Sequence, residues 1–293
     1  MGSEVKNQSR FRLDHVVILV KNLDAAMTQY CGLGFNVFAG GEHAGGLTSN
    51  ALIAFADGSY LELLAFKAGA GRGSNLRREQ ESDGSAPDAQ SSLSARFMHR
   101  RAVGEGLVDF ALASESLSED IRRARLSGLD LSGPARGGRY RPDGRELRWL
   151  TALPSSFDLP FLIQDETERV LRVPTGEVTT HPNGAGGISG VTVAVNDLDL
   201  SLARYDSLLG IDSRAEHSPN SDPIPIRYRL ERGTITLLSR QTNSDVANYV
   251  THRPDRPYSI GIFTNKPERA GILHKYASGG RIVLTPGGGI QHH

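Results

Sequence analysis

One succession of secondary-structure signals recurs along the 293 residues of this chain, and this internal repeat restricts the fold more than any other feature. In its first copy, a strand rich in β-branched residues covers 10–20 and a helix covers about 23–31. Strand-like runs follow near 49–56 and 59–66, separated by an Asp-Gly turn signal. We interpret the first copy as a β-α-β-β-β unit.

Three further copies follow in the same order. In the second copy, strands are predicted at 106–113, 146–151 and 159–164, with a helix ending near 127. In the third, strands are predicted at 188–195, 226–231 and 234–239, with a helix over about 198–209. In the fourth, strands are predicted at 258–263 and 281–285, with a helix near 267–277. We therefore expect an α+β fold of repeated βαβββ units paired two and two, in which the second pair is incomplete.

The pairing also predicts the domain organisation. The stretch 166–187 contains several glycines and prolines, so we place the boundary there and expect domains over 1–180 and 181–293. The segment near 67–95 is polar and almost free of large apolar residues, which predicts a mobile surface insertion in the first domain. If the last unit is truncated, its open sheet edge favours a homodimer.

Charge and cysteine usage exclude several classes of protein. The 33 basic and 33 acidic residues balance, whereas a nucleic-acid-binding protein needs a basic face. No run approaches the roughly 20 apolar residues that span a bilayer. The lone cysteine, Cys31, excludes an intramolecular disulfide and favours an intracellular, cytoplasmic protein. Any metal must therefore be held by histidines and carboxylates.

Three ionisable residues interrupt apolar strands. His15 lies in the first strand, where alternation places it on one face with Phe11, Leu13, Val17 and Leu19. Glu62 interrupts the last strand of the same unit. If the predicted helices are aligned at their first residues, Asp109 of the second unit takes the position of His15.

These three residues allow two interpretations. If they converge, His15, Glu62 and Asp109 suit a divalent metal such as Zn, Mn, Ni or Fe with open positions for substrate. Alternatively, Glu62 and Asp109 accept hydrogen bonds from arginines, and His15 is a core histidine whose polar atoms are satisfied.

Further polar residues are candidates for substrate chemistry. His43, in a glycine-rich loop, is expected to move a proton or to be a solvated loop histidine. Asn50 either orients a substrate or caps a turn. Arg141, Arg148 and Trp149 belong to a cationic and aromatic cluster that either binds an anionic or planar ligand or lies on an exposed strand.

The sequence resembles the glyoxalase-like branch of the vicinal oxygen chelate superfamily. The resemblance is carried by Leu13-Asp-His-Val-Val-Ile18, Gly40-Gly-Glu-His43, Asp57-Gly-Ser-Tyr-Leu-Glu-Leu63, Val108-Asp-Phe-Ala-Leu112, Arg141-Pro-Asp-Gly144, Leu159-Pro-Phe-Leu-Ile163 and His181-Pro-Asn-Gly-Ala185. It implies paired units that form curved mixed sheets around a divalent metal, with ligands from the first and last strands of each unit. His15 and Glu62 match that pattern, Asp109 is a substituted position, and the last strand of the second unit is apolar near Phe161.

Together these features predict a metal-assisted enzyme of the lyase, isomerase or hydrolase type that acts on a small carbonyl- or oxygen-rich molecule. His15, Glu62 and Asp109 would hold the metal, and Glu62 or His43 would move a proton. The alternative is a metal-free protein that sequesters a planar antibiotic or metabolite. Iron-dependent dioxygenase chemistry is least favoured, because Asp109 stands where a second histidine is expected.

Overall fold

The computed structural model describes residues 8–43, 46–67, 93–102, 104–141, 143–211, 225–275 and 281–287. In this part the strands are β1 Gln8–Val20, β2 Phe38–His43, β3 Thr48–Ala54, β4 Tyr60–Phe66, β5 Gly106–Ala113, β6 Leu131–Tyr140, β7 Glu146–Pro154, β8 Phe161–Asp165, β9 Ala185–Val195, β10 Ile226–Arg232, β11 Thr234–Ser239, β12 Arg256–Thr264, β13 Gly271–Lys275 and β14 Arg281–Pro286. The helices are α1 Leu23–Gly32, α2 Leu93–Arg101, α3 Leu117–Leu126, α4 Arg169–Arg172, α5 Leu198–Leu209 and α6 Ser244–His252, with 3-10 helices at Gly176–Thr179 and Pro267–Arg269. No helix in these ranges is long and apolar enough to cross a membrane.

Strand pairing confirms the repeat. In every unit the first strand lies parallel to the last: β1 to β4, β5 to β8, β9 to β11 and β12 to β14. The first strands of paired units are antiparallel, β1 to β5 and β9 to β12. Parallel neighbours need a crossover connection, and α1, α3 and α5 lie in the crossovers of the first three units. The predicted α+β fold of repeated βαβββ units is confirmed.

The strands of the first two units surround a concave interior. Their order is β1-β4-β3-β2-β6-β7-β8-β5, and the pairing of β1 with β5 joins the ends. The seam between β2 and β6 is short, with Glu42 opposite Tyr140 and His43 opposite Arg139. The interior carries an apolar cluster that includes Phe97 of α2.

The second pair continues the same sheet. Its order is β13-β14-β12-β9-β11-β10, and β10 lies parallel to the first residues of β1. The largest buried cluster contains residues of both pairs, among them Leu13 and Ile188. Division into domains over 1–180 and 181–293 stays a prediction.

Helix boundaries follow the local sequence signals. Helix α1 begins at Leu23, and the preceding Asn22 accepts a hydrogen bond from the first-turn backbone. Helix α5 is capped in the same way by Asp197 and ends at Gly210, which has a left-handed φ of 69°.

The fourth unit differs from the prediction. A helix near 267–277 is wrong for the residues that the structure describes, since the 3-10 helix Pro267–Arg269 is followed by β13, which pairs with β14. Gly271 adopts a φ of 137°, which is outside the helical region, so the chain extends along β14. The helices α2 and α6 are additions to the prediction. Most of the insertion expected near 67–95 lies outside the described residues, and its last three residues, 93–95, begin α2.

A β-bulge lies in the middle of β1. In the pairing with β5, Leu13 lies opposite Leu112 and His15 lies opposite Ala111. A step of two residues along β1 therefore corresponds to a step of one residue along β5. Asp14 is therefore the extra residue. The bulge lies where β1 leaves β10 and begins to pair with β4.

The bulge corrects the predicted orientation of His15. Because strand side chains alternate with a period of two, one extra residue inverts the face of everything beyond it. Phe11 and Leu13 belong to the large apolar cluster on the outer face of the sheet, where α1, α3 and α5 pack; we call it the helix-side cluster. Val17 and Leu19 belong to the apolar cluster inside the ring of strands, on the side of His15. The shared face with Val17 and Leu19 is correct, and the shared face with Phe11 and Leu13 is wrong.

Candidate functional site

A cavity of about 30 Å³ lies inside the closed ring of strands formed by β1 to β8. Its lining includes the polar residues His15, His43, Asn50, Glu62 and Arg139, and the apolar residues Leu52, Leu93, Phe97, Trp149, Phe161 and Ile163. A volume of this size accommodates about one or two water molecules. The strands thus bring together five residues singled out from the sequence, His15, His43, Asn50, Glu62 and Trp149, in one pocket.

The bulge residue orients His15. Asp14 Oδ1 lies 2.7 Å from His15 Nδ1, and the imidazole stacks on Tyr60 with ring centroids 4.5 Å apart. In the neutral ring this contact places the proton on Nδ1 and leaves Nε2 with a lone pair. His15 Nε2 lies 3.6 Å from Glu62 Oε2.

Two arginines hold Asp14 in place. Arg172 donates to both carboxylate oxygens of Asp14 at 2.8 and 3.0 Å, and Arg169 donates to Oδ2 at 2.6 Å. Burial raises the pKa of Asp14, but Arg172 and Arg169 outweigh it and hold the pKa well below its usual range. Arg172 also donates to the Tyr60 hydroxyl at 2.8 Å. The His15 ring is therefore supported by an ionised carboxylate that is itself fixed.

Glu62 lies between two imidazoles. Its Oε1 accepts from Asn50 Nδ2 at 2.6 Å and lies 3.4 Å from His43 Nε2, while Oε2 faces His15. Burial raises the pKa of Glu62, but His43, His15 and the Asn50 hydrogen bond together lower it below its ordinary value. The site therefore holds an ionised carboxylate.

His43 stands between the cavity and solvent. Its Nδ1 lies 2.8 Å from Thr48 Oγ1, and its ring meets Trp149 edge-on at 6.1 Å. The side chain is 21% exposed, more than His15 or Glu62. Burial lowers the pKa of His43, more than the nearby Glu62 raises it. A neutral imidazole therefore faces Glu62.

Two further polar groups complete the cavity wall. The Asn50 Oδ1 atom is buried and accepts no hydrogen bond within the described part of the chain. Arg139 donates to the carbonyls of Gly40 and Arg172, and no described carboxylate lies within salt-bridge distance of it. The site thus offers a free acceptor and a buried positive charge.

Asp109 is not part of this cluster. Bulges on both strands set Asp109 opposite Val17, while His15 lies opposite Ala111. Arg96 donates to both carboxylate oxygens of Asp109, at 2.6 and 3.1 Å. For Asp109 the arginine-bound alternative describes the contacts, because α2 places a guanidinium directly on it.

The cationic and aromatic cluster is divided between two faces of β7. Trp149 lines the cavity, but its neighbour Arg148 points outward, is exposed and lies 3.5 Å from Glu146. Strand alternation forces this separation. Arg141 donates to the Leu171 carbonyl and does not line the cavity.

The side chains present match the donor chemistry of a divalent metal. Zinc, iron and related ions bind imidazole nitrogens and carboxylates, and ligand atoms on a tetrahedral ion lie roughly 3.4 Å apart. The His15 and His43 Nε2 atoms lie at such separations from the Glu62 oxygens, and Asp14 and Thr48 hold their Nδ1 atoms, as partners of metal-bound histidines do. In the described ranges, no group of three His, Cys, Asp or Glu side chains is arranged to hold a metal ion, so metal binding here requires these side chains to rearrange.

Sequence reasoning missed Asp14, Arg172 and the pairing of His43 with Glu62. Asp14 and Arg172 are 158 residues apart, and Arg172 lies in a segment read only as a linker. The available signal was the acidic residue next to His15, which cannot belong to a regular apolar strand unless something pairs with it.

Comparisons with known proteins agree with this architecture. The glyoxalase-like domain family matches residues 13–209. A hypothetical protein from Staphylococcus aureus is similar in structure with a TM-score of 0.70 and 13% identity, over 94% of this chain and 99% of its own. A mutant of 4-hydroxymandelate synthase from Streptomyces coelicolor has a TM-score of 0.56 and 14% identity, over 91% of this chain and 77% of its own. At these identities the structures show the fold alone, and no curated protein matches the sequence.

Proposed function

Given that this chain belongs to the glyoxalase-like domain family of the vicinal oxygen chelate superfamily, we propose that it is a metal-assisted enzyme acting on a small carbonyl- or oxygen-rich molecule. Its reaction is of the lyase, isomerase or hydrolase type. The metal ligands are His15, His43 and Glu62. His43 replaces Asp109 in the predicted set because Arg96 neutralises Asp109.

One observation carries the proposal: two imidazole Nε2 atoms face the two oxygens of a single ionised carboxylate in a cavity. A core histidine normally has both ring nitrogens satisfied by fixed partners. His15 and His43 instead have their Nδ1 atoms held and their Nε2 atoms directed at Glu62. A divalent ion bound there would supply Lewis acidity to a carbonyl or enolate oxygen.

The remaining residues bind and orient the substrate. The free Asn50 Oδ1 accepts a hydrogen bond from a substrate hydroxyl or amide. The Arg139 guanidinium stabilises negative charge that develops on a substrate oxygen, since it has no carboxylate partner in the described ranges. Phe97, Trp149 and Phe161 exclude water around these groups.

Metal content tests the ligand assignment. Protein purified without chelators and supplemented with Zn, Mn, Ni or Fe should retain one of these ions stoichiometrically by elemental analysis. The variants His15→Ala, His43→Ala and Glu62→Gln should each lose it, because each removes one donor from a site of three. Co²⁺ should also quench Trp149, the single tryptophan, because its ring lies against His43.

Exposed residues of the same types provide matched controls. His252→Ala and Glu177→Gln should keep the metal, since both side chains lie on the surface. Far-UV circular dichroism establishes that each variant is folded. A wild-type protein that binds no metal after supplementation would contradict the proposal. If a folded His43→Ala variant keeps the ion, His43 is not a ligand and the predicted role of proton carrier is favoured instead.

The metal-free alternative has less support. It does not account for two imidazole Nε2 atoms that face one ionised carboxylate, and the segment expected to cover such a ligand lies mostly outside the described residues. Quenching of Trp149 by planar ligands in metal-free protein would favour this alternative.

A further inference from the structure

A second group of charges is buried beside α2, away from the metal-ligand residues. Arg96 and Arg100 of α2 and Arg256 of β12 are each 5% exposed or less, and they surround Asp109 of β5. We call these three side chains the arginine cluster. It lies where the first pair of units meets the second.

Hydrogen bonds satisfy only part of the arginine cluster. Arg96 is fully engaged by Asp109 and by backbone carbonyls. Arg100 donates through its two terminal nitrogens to the carbonyls of Asp255 and Phe157, but its Nε lies 3.8 Å from Asp109 Oδ2, too far for a hydrogen bond. Arg256 makes one long contact of 3.4 Å, from Nη2 to the Arg100 carbonyl.

Three buried guanidinium nitrogens of the described residues therefore lack an acceptor. They are Arg100 Nε and the Nε and Nη1 atoms of Arg256, none of which has a partner within the described residues. Buried donors in folded proteins are satisfied in the great majority of cases, so an exception indicates an ion or water bound there. Because unsatisfied donors lie on both guanidiniums, we expect an acceptor between Arg100 and Arg256.

The charges of the arginine cluster do not balance. Arg96 and Arg100 share the single carboxylate of Asp109, and no carboxylate of the described residues lies within ion-pair distance of Arg256. The nearby Asp255 carboxylate instead accepts from the Asn196 backbone N–H. The Phe157 ring offers partial compensation, with Arg96 and Arg100 at 5.3 and 5.0 Å from its centroid. Burial lowers the pKa of Arg100 to about 10, which still leaves it protonated at neutral pH.

We propose that the arginine cluster binds a small inorganic anion of halide size between Arg100 and Arg256. The anion accepts from Arg100 Nε and from Arg256 Nη1 and offsets the buried positive charge. Because both guanidiniums are closed off from solvent, the site suits an ion that sheds its water readily, such as chloride. The anion fixes α2 against β12, and through Phe97 of α2 it supports the cavity wall.

Thermal unfolding in chloride tests this site. The unfolding temperature of the whole chain is measured while sodium chloride replaces sodium gluconate at constant ionic strength, since gluconate is too large to enter. Wild-type protein should gain a few degrees with rising chloride, because a ligand that binds only the folded state stabilises it by mass action. In Arg256→Met the chloride dependence should vanish, and its unfolding temperature without chloride should equal or exceed that of wild type, since an unpaired buried charge has been removed.

An exposed arginine gives the matched control. Arg240→Met should retain the wild-type chloride dependence, because Arg240 lies on the surface and contacts Asn196. An equal response in wild type and Arg256→Met would overturn the proposal.

Bromide locates the ion without relying on any variant. Crystals of wild-type protein grown in bromide should show an anomalous scattering peak within hydrogen-bonding distance of Arg100 Nε and Arg256 Nη1. A position filled only by water in that map would also overturn the proposal.

Discussion

At the residue scale, two buried histidines show that neighbouring atoms decide the role of an imidazole. His15 has one nitrogen on a carboxylate and the other directed at Glu62 inside a cavity. His181 has both nitrogens on the backbone: Nδ1 accepts from the Asn36 N–H at 2.9 Å, and Nε2 donates to the Ala54 carbonyl at 3.0 Å. His15 is therefore available for chemistry, and His181 is a structural crosslink in its neutral form.

His181 should make stability depend on pH. Burial lowers its pKa from the ordinary value, so between the folded pKa and about 6.5 the unfolded chain binds more protons than the folded one. The stability that neutral His181 contributes is complete above about pH 6.5 and is lost progressively as the pH falls from about 6.5 to the folded pKa. The unfolding free energy from urea titrations should therefore fall less steeply with acidification in His181→Gln than in wild type.

The exposed His252 provides the comparison for this prediction. The variant His252→Gln should follow the wild-type pH dependence, because His252 lies at the surface end of α6. Identical slopes for His181→Gln and wild type would contradict the prediction.

At the scale of elements, bulges position the site. Besides the extra Asp14 in β1, β2 has an extra residue at Gly40, since Ala39 is paired with Ala51 and Gly41 with Asn50. A Cβ on Gly40 would collide with Asn50 Oδ1 and lie 2.8 Å from Arg139 Nη1. The absence of a side chain at Gly40 therefore allows both polar groups to reach the cavity.

Gly40→Ala should disturb the site more than the fold. Overpacking of a buried position costs about 1–3 kcal/mol, and here the displaced atoms belong to Asn50 and Arg139. Metal content and Co²⁺ quenching of Trp149 should therefore fall, while the circular dichroism spectrum keeps its wild-type shape. Gly32→Ala is the control, because no atom lies within 4 Å of a Cβ placed there. Equal metal binding by Gly40→Ala and Gly32→Ala would show that this close approach is unimportant.

At the scale of the whole molecule, the two pairs of units share one core and one sheet. The turn between β3 and β4 is bonded to β9 through Ser59 Oγ, which accepts from the Ile188 N–H at 3.0 Å. The helix-side cluster continues from Leu13 of the first pair to Ile188 of the second. Neither pair can separate without exposing apolar surface of the other.

The two pairs should therefore unfold together. In urea, fluorescence of Trp149, which reports only on the first pair, and far-UV circular dichroism, which reports on all units, should give coincident transitions. A circular dichroism transition with no change at Trp149 would instead establish independent units and support the predicted boundary near 166–187.

Local patterns predicted the fold well because they depend on neighbouring residues. The apolar run at 106–113 located β5 to the residue, and the helix predicted over about 198–209 matches α5. The fourth unit was less predictable: residues 271–275 form a strand only because β14 lies beside them. Edge strands of this kind depend on a partner more than on their own propensity.

The sequence by itself determined the repeat and the presence of His15 and Glu62 as polar residues in apolar strands, because each depends on local periodicity. Tertiary structure decided which polar groups meet. A one-residue bulge turned His15 toward Glu62, α2 brought Arg96 onto Asp109, and β2 carried His43 to the cavity. The physical reason is that these contacts join residues far apart in the chain. A shift of one residue in strand register, which no local pattern records, reverses the face on which every following side chain lies.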